Sequence, residues 1–129
     1  MEMAIPKVWA DIRIVRIDER RSVVLAPSVE VAVSGSSAEV KGLLHVVVTF
    51  AGESTVHYYT VVVESWTVET SAEEIRHKIE RVLAKANEKA EEYAKAIQTL
   101  KELGVELGFR GGVAARSWLP EWLQKHLPP

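Results

Sequence analysis

The stretch from Ser71 to Gly104 constrains the fold more than any other part of the chain. Ser71 followed three residues later by Glu74 is a capping box, which is typical of a helix start. Gly104 can adopt the left-handed conformation that ends a helix, and no proline interrupts the residues between. We therefore predict one long helix over residues 71–104.

The apolar residues of this helix form one stripe when they are plotted at about 100° per residue. They are Ile75, Ile79, Val82, Leu83, Ala86, Ala90, Tyr93, Ala94, Ile97 and Leu100. A stripe that keeps a 3.6-residue period does not wind into a left-handed coiled coil, which needs a strict seven-residue repeat. The helix is roughly 50 Å long at about 1.5 Å per residue, so it is predicted to pack along the strands of a sheet.

Before Ser71 the apolar residues alternate with a period of two, and clusters of turn-forming residues separate the alternating runs. We predict four strands over residues 8–17, 23–33, 39–50 and 55–68. The short connections favour an antiparallel meander. Pro27 cannot donate a hydrogen bond to a neighbouring strand, so the second strand is predicted to be bulged, broken or at an edge there.

The third and fourth strands are predicted to form a hairpin around Gly52 and Glu53, which places Lys41 opposite Glu64. In this register both faces of the hairpin are apolar at the centre. One face carries Leu44, Val46, Val48, His57, Tyr59 and Val61, and the other carries Leu43, His45, Val47, Tyr58 and Val62. A sheet with one face in water would alternate more cleanly, so each face is expected to be covered.

Residues 117–127 contain two tryptophans and three leucines and are predicted to form a short amphipathic helix with Pro120 in its first turn. A segment with so much apolar surface is expected to cover the second sheet face, either of its own subunit or of a neighbour. Between the two helices, residues 105–109 are compatible with a short strand and residues 110–112 with a flexible loop. The predicted fold class is α+β: a four-stranded antiparallel meander, one long helix along the sheet, and a short C-terminal amphipathic helix.

The composition is that of a single soluble domain: 129 residues, a formal net charge of −2 and no cysteine. The absence of cysteine excludes disulfides, thiol nucleophiles and thiolate metal sites. The sequence lacks the pattern of a signal peptide and of a membrane span, so we expect a cytoplasmic protein without a membrane partner. Few side-chain amides beside abundant Glu, Lys and Arg are typical of heat-tolerant proteins.

No motif in the sequence indicates an active site. The serines at positions 34, 36 and 37 match a hairpin loop better than a nucleophile elbow. Glu73 and His77 have the i,i+4 spacing of metal ligands, but a zinc site needs three or four convergent ligands. We therefore expect no catalytic residue, no metal and no cofactor, and an enzyme is the less favoured interpretation.

The leading hypothesis is a non-enzymatic binding or assembly module that forms a homo-oligomer. Its predicted interface consists of Leu43, Val47, Tyr58, Val62, Trp118 and Trp122. The alternative is single-stranded nucleic-acid binding, in which the two tryptophans stack on bases while Arg110 and Arg116 meet phosphates. Against this alternative, residues 38–69 contain one lysine and four glutamates, and this excess of negative charge disfavours binding of a polyanion such as nucleic acid. The element order is similar to that of Whirly-type single-stranded DNA-binding proteins, although the sequence motif of that family is absent.

Overall fold

The computed structural model describes residues 11–129, so the part of the predicted first strand before residue 11 lies outside the described chain. Within that range, five strands form one antiparallel meander in the order β1-β2-β3-β4-β5. The elements are β1 Arg13–Arg16, β2 Arg21–Ser34, β3 Ser37–Phe50, β4 Thr55–Glu69, α1 Ala72–Glu102, β5 Gly112–Ala115, a 3₁₀ turn Arg116–Trp118 and α2 Glu121–Gln124. The predicted α+β fold is confirmed.

The strand after the long helix, β5, begins at the last residue of the predicted loop 110–112 and continues over residues for which no element was predicted. β5 pairs with the beginning of β4, with Gly112 opposite Tyr58, whereas residues 105–109 form no strand. Gly111 brings the chain against β4, because a Cβ atom on it would lie 2.9 Å from the Tyr58 carbonyl oxygen. The prediction of a short strand over residues 105–109 was wrong. β5 forms instead because residues 112–115 pair with β4, and their Gly-Val-Ala-Ala sequence shows no alternation that would have indicated a strand.

The predicted register of the β3–β4 hairpin holds from Leu43, which pairs with Val62, to Thr49. Beyond Leu43 a bulge adds one residue to β4, so Lys41 lies opposite Ser65 and the predicted pairing of Lys41 with Glu64 is wrong. Glu64 instead accepts from the Arg81 guanidinium on α1 at 3.3 Å, and Lys41 pairs with its neighbour Glu39 at 2.8 Å. In β2, Pro27 lies beyond the four residues that pair with β1, consistent with a position at the edge of the described sheet.

Helix α1 covers the first sheet face, as its apolar stripe predicts. The buried helix residues are Ile75, Ile79, Val82, Ala86, Ala90 and Ile97. They pack on two clusters of strand residues, one built around Leu44 and Val46 and the other around Val31 and Val40. The closest approach is at Gly42, where an added Cβ atom would lie 2.4 Å from the Val82 carbonyl oxygen. The helix backbone therefore rests directly on β3 next to the bulge.

The ends of α1 agree with the predicted signals to within two residues. Gly104 has a φ of 73°, as a C-terminal cap requires. Ser71 is the N-cap residue, and its carbonyl oxygen accepts a hydrogen bond from the Ile75 N–H. Its side chain makes no capping hydrogen bond, so the capping box was wrong in its chemistry although right in its position.

The C-terminal segment covers the second sheet face of its own chain. Leu119 and Leu123 are buried in a cluster with Val24, Val47 and Val56. The predicted single helix over residues 117–127 is replaced by the 3₁₀ turn and α2. Pro120 causes this break: a residue before proline avoids the helical conformation, and Leu119 is extended with φ −72° and ψ 154°.

Candidate interface and polar cluster on the second sheet face

Four polar side chains meet on the second sheet face beside the docked C-terminal segment. The Ser28 hydroxyl lies 2.8 Å from His45 Nε2, and the Thr60 hydroxyl lies 3.3 Å from His45 Nδ1. Thr60 also donates a hydrogen bond of 2.8 Å to the Tyr58 hydroxyl. Each ring nitrogen of His45 therefore has a hydroxyl partner, which donates or accepts the hydrogen bond according to the tautomer of the ring. We refer to these four residues as the His45 cluster.

The imidazole of His45 is enclosed by aromatic rings as well as by hydroxyls. Tyr58 stacks on it with ring centroids 6.3 Å apart, and Trp122 of α2 meets it edge-on at 5.6 Å. Burial lowers the pKa of His45 from its usual value because the charged ring would lose its hydration. The histidine is therefore held neutral, and it joins the sheet to the C-terminal segment.

The His45 cluster resembles a nucleophile–base pair but lacks the third member of a catalytic triad. Ser28 is in hydrogen-bond contact with His45, yet the partner on the other ring nitrogen is Thr60 and not a carboxylate. A neutral hydroxyl cannot stabilise the imidazolium that forms when histidine takes a proton. Ser28 is also buried, so a substrate would not reach it in this conformation. The arrangement is that of a satisfied polar cluster within a packed face.

We expect the stability of the protein to fall as the pH drops below about 6.5, the usual pKa of histidine. The folded state holds His45 with a lowered pKa, so the unfolded state binds the proton first. The stabilisation is complete above the unfolded-state pKa and is lost as the pH falls through the lower folded value. Denaturant unfolding between pH 8 and 5 measures this loss, and NMR titration of the ring reports the pKa of His45 directly.

The matched control is the exposed His77 on α1. His45→Gln should flatten the pH dependence of stability relative to the wild type, whereas His77→Gln should leave it unchanged. Parallel pH profiles for the wild type and His45→Gln, together with an ordinary pKa for His45, would contradict this assignment.

The structure separates the residues of the predicted interface into covered and exposed ones. Val47 is completely buried and Leu43 is buried, while Tyr58 and Trp122 are half-buried. Val62 is 54% exposed and Trp118 is 79% exposed. Two of the six side chains are therefore open to a partner while the C-terminal segment stays docked.

The four residues of the nucleic-acid alternative do not form one surface. Arg116 donates from Nη1 to the Pro128 carbonyl oxygen at 2.7 Å, and within the described chain its buried Nε and Nη2 have no hydrogen-bond partner. Trp122 contacts His45 on the second face. Arg110 lines a groove with Tyr59 and α1 on the other side of the sheet. Trp118 is the one aromatic ring of this set that is largely open to solvent.

The His45 cluster was not predicted from the sequence, although part of it could have been. The hairpin register already places His45 opposite Thr60, with Tyr58 two residues away on the same face. Ser28 comes from β2, whose register with β3 follows from the tight turn between Ser34 and Ser37. Extending the register argument across that turn would have brought Ser28 beside His45.

Comparison with known proteins gives no assignment: no family model, no curated protein and no solved structure matches the chain significantly. None of the helices within residues 11–129 has the length and apolar character needed to cross a bilayer. In the same part of the chain, no three side chains of His, Cys, Asp or Glu converge in a way that could hold a metal ion.

Proposed function

We propose that this protein is a non-enzymatic binding and assembly module that associates with a second copy of itself through the C-terminal segment and the adjoining second sheet face. The observation that carries the proposal is the exposure of Trp118. Tryptophan is enriched among the residues that contribute most to protein interfaces, because its large ring loses much water contact on binding. Here the ring stands next to Leu119, which is buried, so it belongs to an ordered part of the chain.

Hydrogen bonds on both sides of Trp118 order its backbone before any partner arrives. The Arg116 N–H donates to the Ser54 carbonyl oxygen at 2.9 Å. The side-chain amide of Gln124 donates to the carbonyl oxygens of Ser117, at 3.2 Å, and Leu119, at 2.6 Å. A contact residue whose backbone is already ordered loses less conformational entropy on binding, and this favours association.

The low net charge of the chain and its exposed apolar side chains favour a second copy of the chain over a strongly charged partner. The formal net charge is only −2, so two identical chains repel each other weakly. Val62, which is 54% exposed, is another large apolar side chain on the second sheet face. A two-fold contact uses the same patch on both subunits, so one exposed tryptophan contributes twice.

The second candidate is single-stranded nucleic acid, because the exposed ring of Trp118 offers a stacking surface. The hydrogen bond from Arg116 to Pro128 and the separate position of Arg110 weigh against it. Stacking of this kind predicts quenching of tryptophan fluorescence by an oligonucleotide, with an affinity that falls as salt is added. Oligonucleotide titration at low ionic strength distinguishes the two candidates.

Trp118→Ser is expected to weaken self-association at least tenfold, which corresponds to about 1.4 kcal/mol. Sedimentation velocity over a concentration series measures the dissociation constant. Leu103→Ser is the matched control, because Leu103 is 71% exposed but lies at the C-terminal cap of α1. A wild-type protein that stays monomeric at all concentrations, or an equal effect of the two substitutions, would rule out the proposed interface.

A further inference from the structure

A groove lies on the helix side of the sheet, away from Trp118 and the His45 cluster. Its volume is about 470 Å³, and its walls come from α1, from β4 and from the segment that follows the helix. The side chains that matter for its chemistry are Tyr59, Tyr93, Ile97, Leu107, Phe109 and Arg110. We call it the helix-side groove. Small-molecule sites in proteins have volumes of about 300 to 1,000 Å³, so its size suits a compact ligand.

The outer wall of the helix-side groove is held by hydrogen bonds although it has no regular secondary structure. Arg21 at the start of β2 donates from Nη1 to the Leu107 carbonyl oxygen at 3.0 Å. The Val105 N–H donates to the Leu100 carbonyl oxygen at 3.0 Å, which ties the segment to the end of α1. At its other end, Gly111 lies against the backbone of Tyr58. The segment therefore crosses the end of the sheet from β2 to β4 in a fixed position.

The interior of the groove is apolar and aromatic. Ile97 belongs to the buried core, and Tyr59, Tyr93, Leu107 and Phe109 pack against that core while remaining partly accessible. The Tyr59 hydroxyl is partly withdrawn from water and interacts with Tyr93; burial first, and then Tyr93, raise its pKa. The Tyr59 phenol therefore stays protonated at neutral pH and can donate a hydrogen bond inside an otherwise apolar groove.

Arg110 supplies a positive charge at this groove. The residue is exposed, and among residues 11–129 its guanidinium takes part in no ion pair and no hydrogen bond. Most other arginines of the chain contact carboxylates or carbonyl oxygens, as Arg13, Arg21 and Arg81 do. An unpaired cation beside an aromatic groove is complementary to an anionic group on an apolar molecule.

We propose that the helix-side groove binds a small amphiphilic anion, with its apolar or aromatic body against Tyr59, Ile97 and Phe109 and its carboxylate or sulfonate on Arg110. This ligand site is independent of the self-association interface, because the two lie on opposite sides of the sheet. The phenols of Tyr59 and Tyr93 provide donors for a further polar atom of the ligand. The site requires no movement of the chain, since the segment that forms its wall is already fixed.

The test uses 8-anilinonaphthalene-1-sulfonate, an aromatic sulfonate whose fluorescence increases in apolar surroundings, titrated into the full chain. We expect saturable binding of one molecule per chain. Arg110→Gln should weaken the affinity about fivefold or more. Arg76→Gln removes the same charge from an exposed position on α1 and should have no effect. The uncharged analogue N-phenyl-1-naphthylamine should bind wild type and Arg110→Gln equally.

A second variant blocks the groove without touching its charge. Ala96 lines the groove and is exposed on α1, so Ala96→Phe should fill the space and abolish binding while the melting curve stays that of the wild type. Binding that is not saturable, that survives Ala96→Phe, or that responds equally to Arg110→Gln and Arg76→Gln would overturn the proposal. Loss of dye binding in Trp118→Ser would place the dye on the self-association interface and would also overturn it.

Discussion

Replacing Gly42 with alanine is expected to lower the free energy of unfolding by about 3 kcal/mol, at the upper end of the usual cost of overpacking a core. The added methyl group would lie 2.4 Å from the carbonyl oxygen of Val82 and 3.0 Å from its Cβ. The nearest atom is helix backbone, which cannot rotate away as a flexible side chain can. The helix must therefore move away from β3, and its buried contacts on both sides of Val82 loosen together.

Gly108→Ala is the matched control for this substitution, because nothing lies within 4 Å of a Cβ atom at Gly108 and its φ is not positive. We expect its free energy of unfolding to stay within about 0.5 kcal/mol of the wild type. Denaturant unfolding followed by circular dichroism measures both variants. Equal stabilities for Gly42→Ala and the wild type would show that α1 does not rest on β3 as described.

Leu123→Ala is expected to release the C-terminal segment from the second sheet face. Leu123 is fully buried in α2, in the cluster that contains Val24 and Val47, and truncation of a buried leucine costs about 2 to 5 kcal/mol. A four-residue helix has too few hydrogen bonds to persist without that contact. We expect faster trypsin cleavage after Arg116 and a shift in tryptophan emission as Trp122 leaves His45.

The matched control for Leu123→Ala is Leu103→Ala, because Leu103 is a leucine of the same size that is largely exposed. It should leave both trypsin cleavage after Arg116 and tryptophan emission unchanged. If Leu123→Ala lowers global stability but leaves cleavage and emission as in the wild type, the segment unfolds only with the whole domain. If neither stability nor cleavage changes, the docking of α2 on its own sheet is wrong.

The long helix and the meander could be predicted because each follows from a local pattern that its environment reinforces. The 3.6-residue stripe between Ser71 and Gly104 and the alternation of the strands describe the same core from two sides. The bulge beside Gly42 was not predicted, although a glycine inside a strand often marks a bulge or a close approach of another backbone. β5 could not be predicted either, because its strand conformation depends on pairing with β4 and not on a local sequence pattern.

The candidate interface was only partly predictable, because its exposure depends on one proline. Trp118 and Trp122 are four positions apart, so an uninterrupted helix would place them on the same side. The extended conformation at Leu119 separates them: Trp122 packs against His45 while Trp118 is exposed. The sequence therefore indicates that the two tryptophans belong to the candidate interface, but the break in the helix before Pro120 determines which of them is exposed to solvent.

The bulge in β4 also has a consequence for the outer edge of the sheet. β5 pairs with β4 only from Thr55 to Tyr58. Among residues 11–129, no other strand pairs with the outer edge of β4 beyond Tyr58. A long, regular free edge invites strands of other molecules to add to it. The extra residue opposite Gly42 and Leu43 interrupts that edge near its middle, so an incoming straight strand cannot stay in register along its length. We therefore expect the bulge to disfavour the addition of a further strand to this edge of the sheet.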